Sequence, residues 1–157
     1  MQRYLFYAWI SSVNLLHSEF VKMGIILGID FGLKRSGLAI TDDLKMIGSP
    51  LETVETKHLF TKLEELLTQK EVEGIVVGMP MGLDNKSTDA TGHVIDFIEK
   101  LKNKFSKMKV WTVDERFTSK IAKQTMIYGN LPKMKRRNKG IIDKISAAII
   151  LQSFLDR

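Results

Sequence analysis

Short apolar segments alternate with polar connections along the chain from Met23 onwards. Apolar runs bounded by glycine, proline or charged residues predict strands, and apolar residues three or four positions apart predict amphipathic helices. The predicted strands cover residues 24–30, 36–42, 49–56, 74–80 and 109–115. The predicted helices cover residues 58–72, 93–105, 118–129 and 140–156. The polar connections 81–92 and 130–140 are predicted to be surface loops.

The spacing of apolar residues also predicts which helical faces are buried. Each predicted stripe repeats at intervals of three or four residues, as one face of a helix requires. The stripes are Leu59, Leu63, Leu66 and Leu67, then Val94, Phe97, Ile98 and Leu101, and finally Ile142, Ile145 and Ile149. The strand at 74–80 is apolar almost throughout, which is typical of a strand covered on both faces of a sheet.

The order of these elements predicts an α/β fold with a mixed central β-sheet and helices on both faces. Three strands with short connections come first, and helices separate the strands that follow. This is also the order of elements in ribonuclease H-like folds. The chain has 157 residues and lacks repeats and low-complexity linkers, so a single domain over residues 23–157 is predicted.

Residues 1–22 form an N-terminal extension of open role. The stretch YLFYAWISSVNLLHS is uncharged and largely apolar, yet it is too short and too polar to span a bilayer. It also lacks the basic start and cleavage site of a signal peptide. Met23 is therefore interpreted as a candidate start, preceded by a misassigned or disordered segment. We expect a cytoplasmic protein without membrane association.

Charge and composition favour an anionic partner. Lysine and arginine number 24 against 18 acidic residues, for a net charge of +6, which favours nucleic acid. The chain has no cysteine, so disulfides, thiolate metal sites and cysteine nucleophiles are excluded. His17, His58 and His93 are scattered, without the spacing of a zinc site or the pattern of a serine–histidine pair.

Acidic residues stand where apolar segments end. Asp30 ends the first strand, and an ionised carboxylate there needs a hydrogen bond, a cation or a metal; alternatively, it only caps the turn that follows. Asp114 and Glu115 end the last strand, at a sheet edge where ligands bind, and the strand boundary does not decide between them. Asp143 is predicted in the first turn of the last helix, where it could instead serve the helix dipole.

Carboxylates from three distant segments can together bind Mg²⁺ or Mn²⁺, because these ions prefer hard oxygen ligands. The predicted cofactor is a pair of such ions. One ion would orient and deprotonate an attacking water, and the second would stabilise the leaving oxygen, as phosphodiester hydrolysis requires. The acidic residues therefore predict a metal-dependent hydrolase acting on nucleic acid.

A cluster of basic residues precedes Asp143. Phosphate contacts from this loop would hold a nucleic-acid backbone beside the acidic residues; alternatively, the run is a solvated surface. No aromatic stacking surface is evident next to it, which favours recognition of backbone and shape. The predicted nucleic-acid-binding residues of the loop are Lys133, Lys135, Arg136, Arg137 and Lys139.

Four motifs carry a resemblance to a known family. They are DFGLKRSGLA at 30–39, GMP with LDNKST between 78 and 88, DERFTS at 114–119 and KGIIDKISAAIIL at 139–151. In this order and spacing they resemble the YqgF/RuvX family of the ribonuclease H-like superfamily. That family comprises pre-16S rRNA nucleases, also described as Holliday junction resolvase-like proteins. The resemblance extends from Met23 to the end of the chain.

The resemblance implies roles for individual residues. Asp30, Glu115 and Asp143 would be the catalytic, metal-binding acids, with Glu115 favoured over Asp114. The motif arginines, Arg35 and Arg116, would contact phosphate, although each could instead form an ordinary salt bridge. In one departure Asp84-Asn85 replaces the usual Asp-Gly, and asparagine tolerates the same turn.

The leading hypothesis is a metal-dependent endonuclease that processes the 5′ end of pre-16S rRNA in ribosome biogenesis. The first alternative keeps the site but makes a four-way DNA junction the substrate, which would require a symmetric dimer. The second alternative is a non-catalytic factor that binds structured RNA or DNA. A phosphotransferase of the actin-like kind needs two such subdomains, and this chain has one. The sequence leaves open whether the protein is a monomer or a homodimer.

Overall fold

The computed structural model describes residues 24–80, 89–115, 121–122, 124–125, 132, 134 and 137–157. The extension 1–22 lies outside these residues. The strands are β1 (Ile25–Asp30), β2 (Arg35–Thr41), β3 (Gly48–Glu55), β4 (Val72–Met79) and β5 (Lys109–Asp114). The helices are α1 (Leu59–Gln69), α2 (Asp89–Lys104) and α3 (Lys139–Leu155). Residues 121–122 and 124–125 are helical and belong to the predicted helix 118–129, whose other residues are not described.

The five strands form one mixed sheet in the order β3-β2-β1-β4-β5. β1 is antiparallel to β2, and β2 is antiparallel to β3. β4 is parallel to β1 and to β5. The carboxyl ends of β1, β4 and β5 therefore lie at the same edge, which we call the carboxyl edge. The mixed α/β sheet predicted from the order of elements is confirmed.

Alternate residues of the strands enter two separate cores, because successive side chains point to opposite faces of a sheet. Leu27 and Ile29 of β1 join a core with α1 and α2, whereas Ile26 joins the core beneath α3. β4 contributes to both cores, as predicted for an apolar strand covered on both faces. The stripes predicted for the first two helices are confirmed as well, with Leu67 half-buried.

Three boundaries differ from the sequence-based expectation. The first helix is predicted to reach residue 72, but it ends at Gln69 and β4 begins at Val72. The apolar pattern of the helix continues into the strand, so the sequence does not mark the boundary between them. α2 begins at Asp89, so residues 89–92 belong to a helix and not to a loop. Asn138 caps α3, which makes Asp143 the fifth helical residue. The prediction that Asp143 lies in the first turn is therefore wrong.

The buried face of α3 also differs from the expectation. Ile142, Ile145 and Ile149 are only half-buried. The side chains that pack on the sheet are those of Ala147, Ala148, Ile150 and Leu151. Small residues lie here because the helix backbone approaches the sheet closely: a Cβ added to Gly28 of β1 would be 2.8 Å from the Cβ of Leu151.

Within the described residues, none of the helices has the length and apolar character needed to cross a membrane.

Candidate active site

Asp30 is the last residue of β1 and belongs to the same face as Ile26, beneath α3. The strand alternation explains this placement, since residues 26, 28 and 30 point to one side. The side chain is half-buried at the carboxyl edge. The polar end of an otherwise apolar strand is thus aimed at the layer between sheet and helix.

Glu115 reaches Asp30 across the strand that separates them. β4 lies between β1 and β5, and its residue Gly78 pairs with Val113. The Oε2 atom of Glu115 would lie 2.5 Å from a Cβ added to Gly78. Only glycine leaves room for the carboxyl group at this position, because real Cβ atoms do not approach other atoms so closely.

Asp30 and Glu115 form a hydrogen-bonded carboxyl pair. Burial, the neighbouring charge of Asp30 and the hydrogen bond to Asp30 raise the pKa of Glu115 to about 8. Burial and the charge of Asp143 raise the pKa of Asp30 to about 6, against the opposing effect of the hydrogen bond from Glu115. The pair therefore keeps a proton to a higher pH than isolated carboxyl groups do, since two close carboxyl groups do not both ionise readily.

Asp143 approaches the pair from α3. Gly37 of β2 is the cross-strand partner of Asp30. A Cβ added to Gly37 would lie 2.0 Å from the main-chain oxygen of Asp143, so the helix backbone rests directly on this glycine. The contact brings the third predicted acid within electrostatic range of Asp30.

Arg35 forms an ion pair with Asp143. Its Nε donates to Oδ2 of Asp143 at 3.0 Å. The arginine side chain is 40% exposed, so it faces solvent while it neutralises the acid. Arg35 thus takes the salt-bridge role named as its alternative, at a position where it could also meet a phosphate.

The donor set suits a divalent cation, because carboxylate oxygens are the ligands that Mg²⁺ and Mn²⁺ prefer. Asp30 and Glu115 offer two adjacent carboxyl groups. Among the described residues, however, no three acidic or histidine side chains are gathered closely enough to hold one ion. Asp143 is turned towards Arg35, so it would join the other two only after leaving that ion pair.

The structure also decides which acid of the pair at the end of β5 faces the site. Glu115 shares a hydrogen bond with Asp30, whereas the preceding Asp114 is exposed and belongs by alternation to the other side of the sheet. The geometry therefore favours Glu115 over Asp114, in agreement with the expectation from the resemblance.

Part of the predicted phosphate-binding set lies in the described residues. Arg137 and Lys139 are exposed at the start of α3. Asn138 between them caps the helix, its side chain accepting from Gly140 N at 2.9 Å and from Ile141 N at 3.3 Å. Thr53 Oγ1 of β3 donates to the Gly140 carbonyl at 2.6 Å. The remaining predicted residues, Arg116, Lys133, Lys135 and Arg136, lie outside the described residues.

Three residues important for the geometry were not predicted. Asn138 could have been found, because asparagine directly before a helix is a common N-cap. Gly78 interrupts the apolar run of β4, and a glycine inside a strand signals close approach of another group. Gly37 carries the same signal, although the sequence does not show that α3 is the group that approaches.

A model of one protein family matches residues 24–157 and is described as "RuvX: Holliday junction resolvase". The chain belongs to the RuvX family. Relatives of the chain are named as nucleases, in agreement with this membership. A protein of Christiangramia forsetii named "Putative pre-16S rRNA nuclease" is 47% identical over 85% of this chain and 98% of its own length. A protein of Porphyromonas gingivalis with the same name is 42% identical over 85% of this chain and 97% of its own length.

Solved structures support the fold of this RuvX family member. The chain resembles RuvC of Thermus thermophilus in complex with a Holliday junction substrate, with a TM-score of 0.53 and 19% identity over 85% of this chain and 95% of that one. A second T. thermophilus RuvC structure gives a TM-score of 0.51 at 16% identity, with the same coverage of both chains. The predicted ribonuclease H-like fold is confirmed. The chain is thus a member of a nuclease family with a ribonuclease H-like fold.

Proposed function

We propose that this RuvX protein is a metal-dependent endonuclease that trims the 5′ end of pre-16S rRNA, with Asp30, Glu115 and Asp143 as its catalytic acids. The observation that carries the proposal is the hydrogen-bonded pair of Asp30 and Glu115 at the carboxyl edge, with Asp143 facing it from α3. Two adjacent, partly buried carboxyl groups with a third acid in electrostatic range are costly for a fold, and such costly groups concentrate at functional sites.

The chain's own groups have distinct roles in this proposal. Asp30 and Glu115, once Glu115 has lost its proton, provide oxygen ligands and accept the hydrogen bonds of an attacking water. Asp143 completes the set when it leaves Arg35. Arg35 is then free to bind a phosphate oxygen, and its planar guanidinium fits that group in a bidentate manner. Binding of substrate and assembly of the acids are thereby coupled through one ion pair.

Mg²⁺ or Mn²⁺ bound to these carboxylates would supply a water of lowered pKa and charge stabilisation for the leaving oxygen, and two ions would divide these tasks. In this proposal, phosphate groups of the backbone are contacted by Arg116 and by the loop residues Lys133, Lys135, Arg136, Arg137 and Lys139.

The substrate is assigned from the relatives. Proteins 42 to 47% identical over nearly their whole length are named for pre-16S rRNA, and the net charge of +6 suits a polyanion. The family description favours a four-way DNA junction as the second candidate. Junction resolution needs two sites in a symmetric dimer, whereas trimming one RNA strand needs a single site.

Cleavage by purified wild type and Asp30→Asn tests the proposal. Each protein receives a labelled fragment spanning the 5′ end of 16S precursor RNA, or a labelled four-way DNA junction, with Mg²⁺, Mn²⁺ or EDTA. We expect wild type to cut the RNA with either metal and not with EDTA. Asp30→Asn should lose more than about a hundredfold in rate, the scale for a group acting directly in the chemistry.

Each other result has a definite meaning. Cutting of the junction alone would replace the RNA assignment by the second candidate. Binding of both nucleic acids without cutting in any condition would replace the enzyme by a binding factor. Cutting that Asp30→Asn preserves would refute the assignment of the acids. Circular dichroism of the variant serves as the control for folding.

A further inference from the structure

We propose that an aromatic pocket beside Asp30 binds an unpaired nucleobase of the substrate strand, close to the bond that is cleaved. The proposal deepens the nuclease function proposed above and depends on it. The pocket, which we call the base pocket, has a volume of about 270 Å³ and lies between α1, α2 and the turn after β1. It opens on the face of the sheet opposite to α3.

Aromatic rings form the apolar part of the base pocket. Phe31 stacks on the buried Phe97 of α2, with ring centroids 4.5 Å apart and an angle of 17° between the rings. Phe60 of α1 lies 5.7 Å from Phe97. Leu33, whose surface is 67% exposed, lines the same space. Flat rings and an open mouth suit a planar base, because every base can stack on an aromatic surface.

Polar groups on one side of the base pocket can meet the edge of a base. His93, Asp96 and Lys100 line it from successive turns of α2 and are exposed. Asp96 can accept from an amino group of a base, while Lys100 and His93 can donate to ring nitrogens, carbonyl groups or the adjoining phosphate. The volume lies slightly below the roughly 300 to 1,000 Å³ of pockets for drug-sized ligands, which suits a single base.

A second depression lies beside the base pocket and shares one lining residue with it. This basic groove has a volume of about 460 Å³ and is lined by Leu33, Lys34, Arg35, Glu55 and Lys57. Leu33 lines both spaces, and Arg35 contacts Asp143. The groove carries three cationic side chains against one acid, and Lys57 forms an ion pair with Glu55 at 2.7 Å. Its net positive charge suits a phosphate backbone. A strand lying in it would run from the acids towards the rings.

Phe31 directly follows Asp30 in the chain, but it packs in the core on the opposite face of the sheet from α3. A nucleic-acid strand that reaches both the acids and the rings therefore has to pass around the carboxyl edge. In this inference the base lies on the same strand as the cleaved bond, a short way along it. The sequence does not reveal this stacking surface, because the three rings of Phe31, Phe60 and Phe97 come from separate segments of the chain.

Binding of substrates that lack single bases tests this inference. The substrate is the 16S precursor fragment in EDTA, where binding is measured without cleavage, and an abasic residue replaces in turn each unpaired nucleotide flanking the cleavage site. We expect wild type to bind one of these abasic RNAs about tenfold more weakly than the intact RNA, the scale of one lost base–ring stack. Phe31→Leu and Leu33→Ala should remove most of this difference.

Leu44→Ala is the matched control for Leu33→Ala. Leu44 is 65% exposed in the connection between β2 and β3, at the other end of β2, and it should keep the tenfold difference. Leu33→Ala remains informative if Phe31→Leu fails to fold, because the leucine is exposed.

The outcomes separate this inference from the proposed function. Wild type that cuts the RNA but binds every abasic RNA like the intact one would overturn the base pocket alone. Leu33→Ala and Phe31→Leu proteins that keep the full difference would also overturn it. If wild type neither binds nor cuts the RNA, the proposed function itself fails.

Discussion

A single proton links Asp30 and Glu115 at neutral pH. In the unfolded chain both carboxyl groups titrate near pH 4, whereas the folded protein raises their pKa values to about 6 and about 8. Between about pH 4 and pH 8 this pair therefore binds more protons in the folded state than in the unfolded state. The contribution of the pair to the free energy of unfolding falls as the pH rises through this range, because it is largest when the pair is protonated.

Asp30→Asn should raise the melting temperature at pH 8 while it abolishes cleavage. Asparagine has the shape of aspartate and can accept the hydrogen bond from Glu115, but it carries no charge beside that buried group. Calorimetry of the metal-free proteins at pH 5 and pH 8 measures the effect, and the gain should be smaller at pH 5. An unchanged melting temperature at pH 8 would contradict the assigned titration.

Glu115→Gln and Asp114→Asn form a second comparison at the scale of residues. Glu115 shares a hydrogen bond with Asp30, while Asp114 is exposed and belongs by strand alternation to the other side of the sheet. Glu115→Gln should lower the cleavage rate by more than about a hundredfold, and Asp114→Asn should leave it close to the wild-type rate. The reverse order of the two rates would show that Asp114 is the ligand.

At the scale of elements, the strands could be predicted and the docking of α3 could not. Each strand lies within two residues of its expected position, because short apolar runs between turns mark strands well. The last helix has isoleucine on nearly every side, at 141, 142, 145, 149 and 150. Its own pattern therefore cannot indicate one buried face. Gly28 and Gly37 of the sheet select that face by allowing close approach.

Gly37→Ala should strongly destabilise the protein. The new Cβ would meet the main-chain oxygen of Asp143 at 2.0 Å, and overpacking of this kind costs about 1 to 3 kcal/mol or more. Urea denaturation measures the free energy of unfolding. Gly92→Ala in α2 is the matched control, since nothing lies within 4 Å of its added Cβ and alanine favours a helix by up to about 1 kcal/mol. Equal stabilities for the two variants would contradict the proposed packing.

At the scale of the whole molecule, the sequence could indicate the acids but not their grouping. Asp30 and Asp143 are in hydrogen-bonding distance of different partners, Glu115 and Arg35, and these contacts depend on strand order and helix docking. Neither the strand order nor the docking of α3 is encoded in local patterns. The domain boundary at Met23 stays a prediction from the sequence.

A chain beginning at Met23 should fold and cleave like the full chain. Residues 24–157 correspond to the family model, and the relatives align over 83 to 85% of this chain and 94 to 98% of their own lengths. Melting temperature and cleavage rate of both chains measure this. A marked loss of either in the shorter chain would show that the extension belongs to the domain.

The position of Asp143 on α3 has a consequence for the order in which the site is completed during protein synthesis. All five strands precede α3 in the chain, so a ribosome finishes the sheet, with Asp30 and Glu115, before it adds the helix. The third acid and the partner of Arg35 arrive only with this last segment. In the proposed function, a nascent chain that has formed its sheet contains two of the three acids and no complete centre, and cutting of nearby RNA would have to wait until the helix has docked.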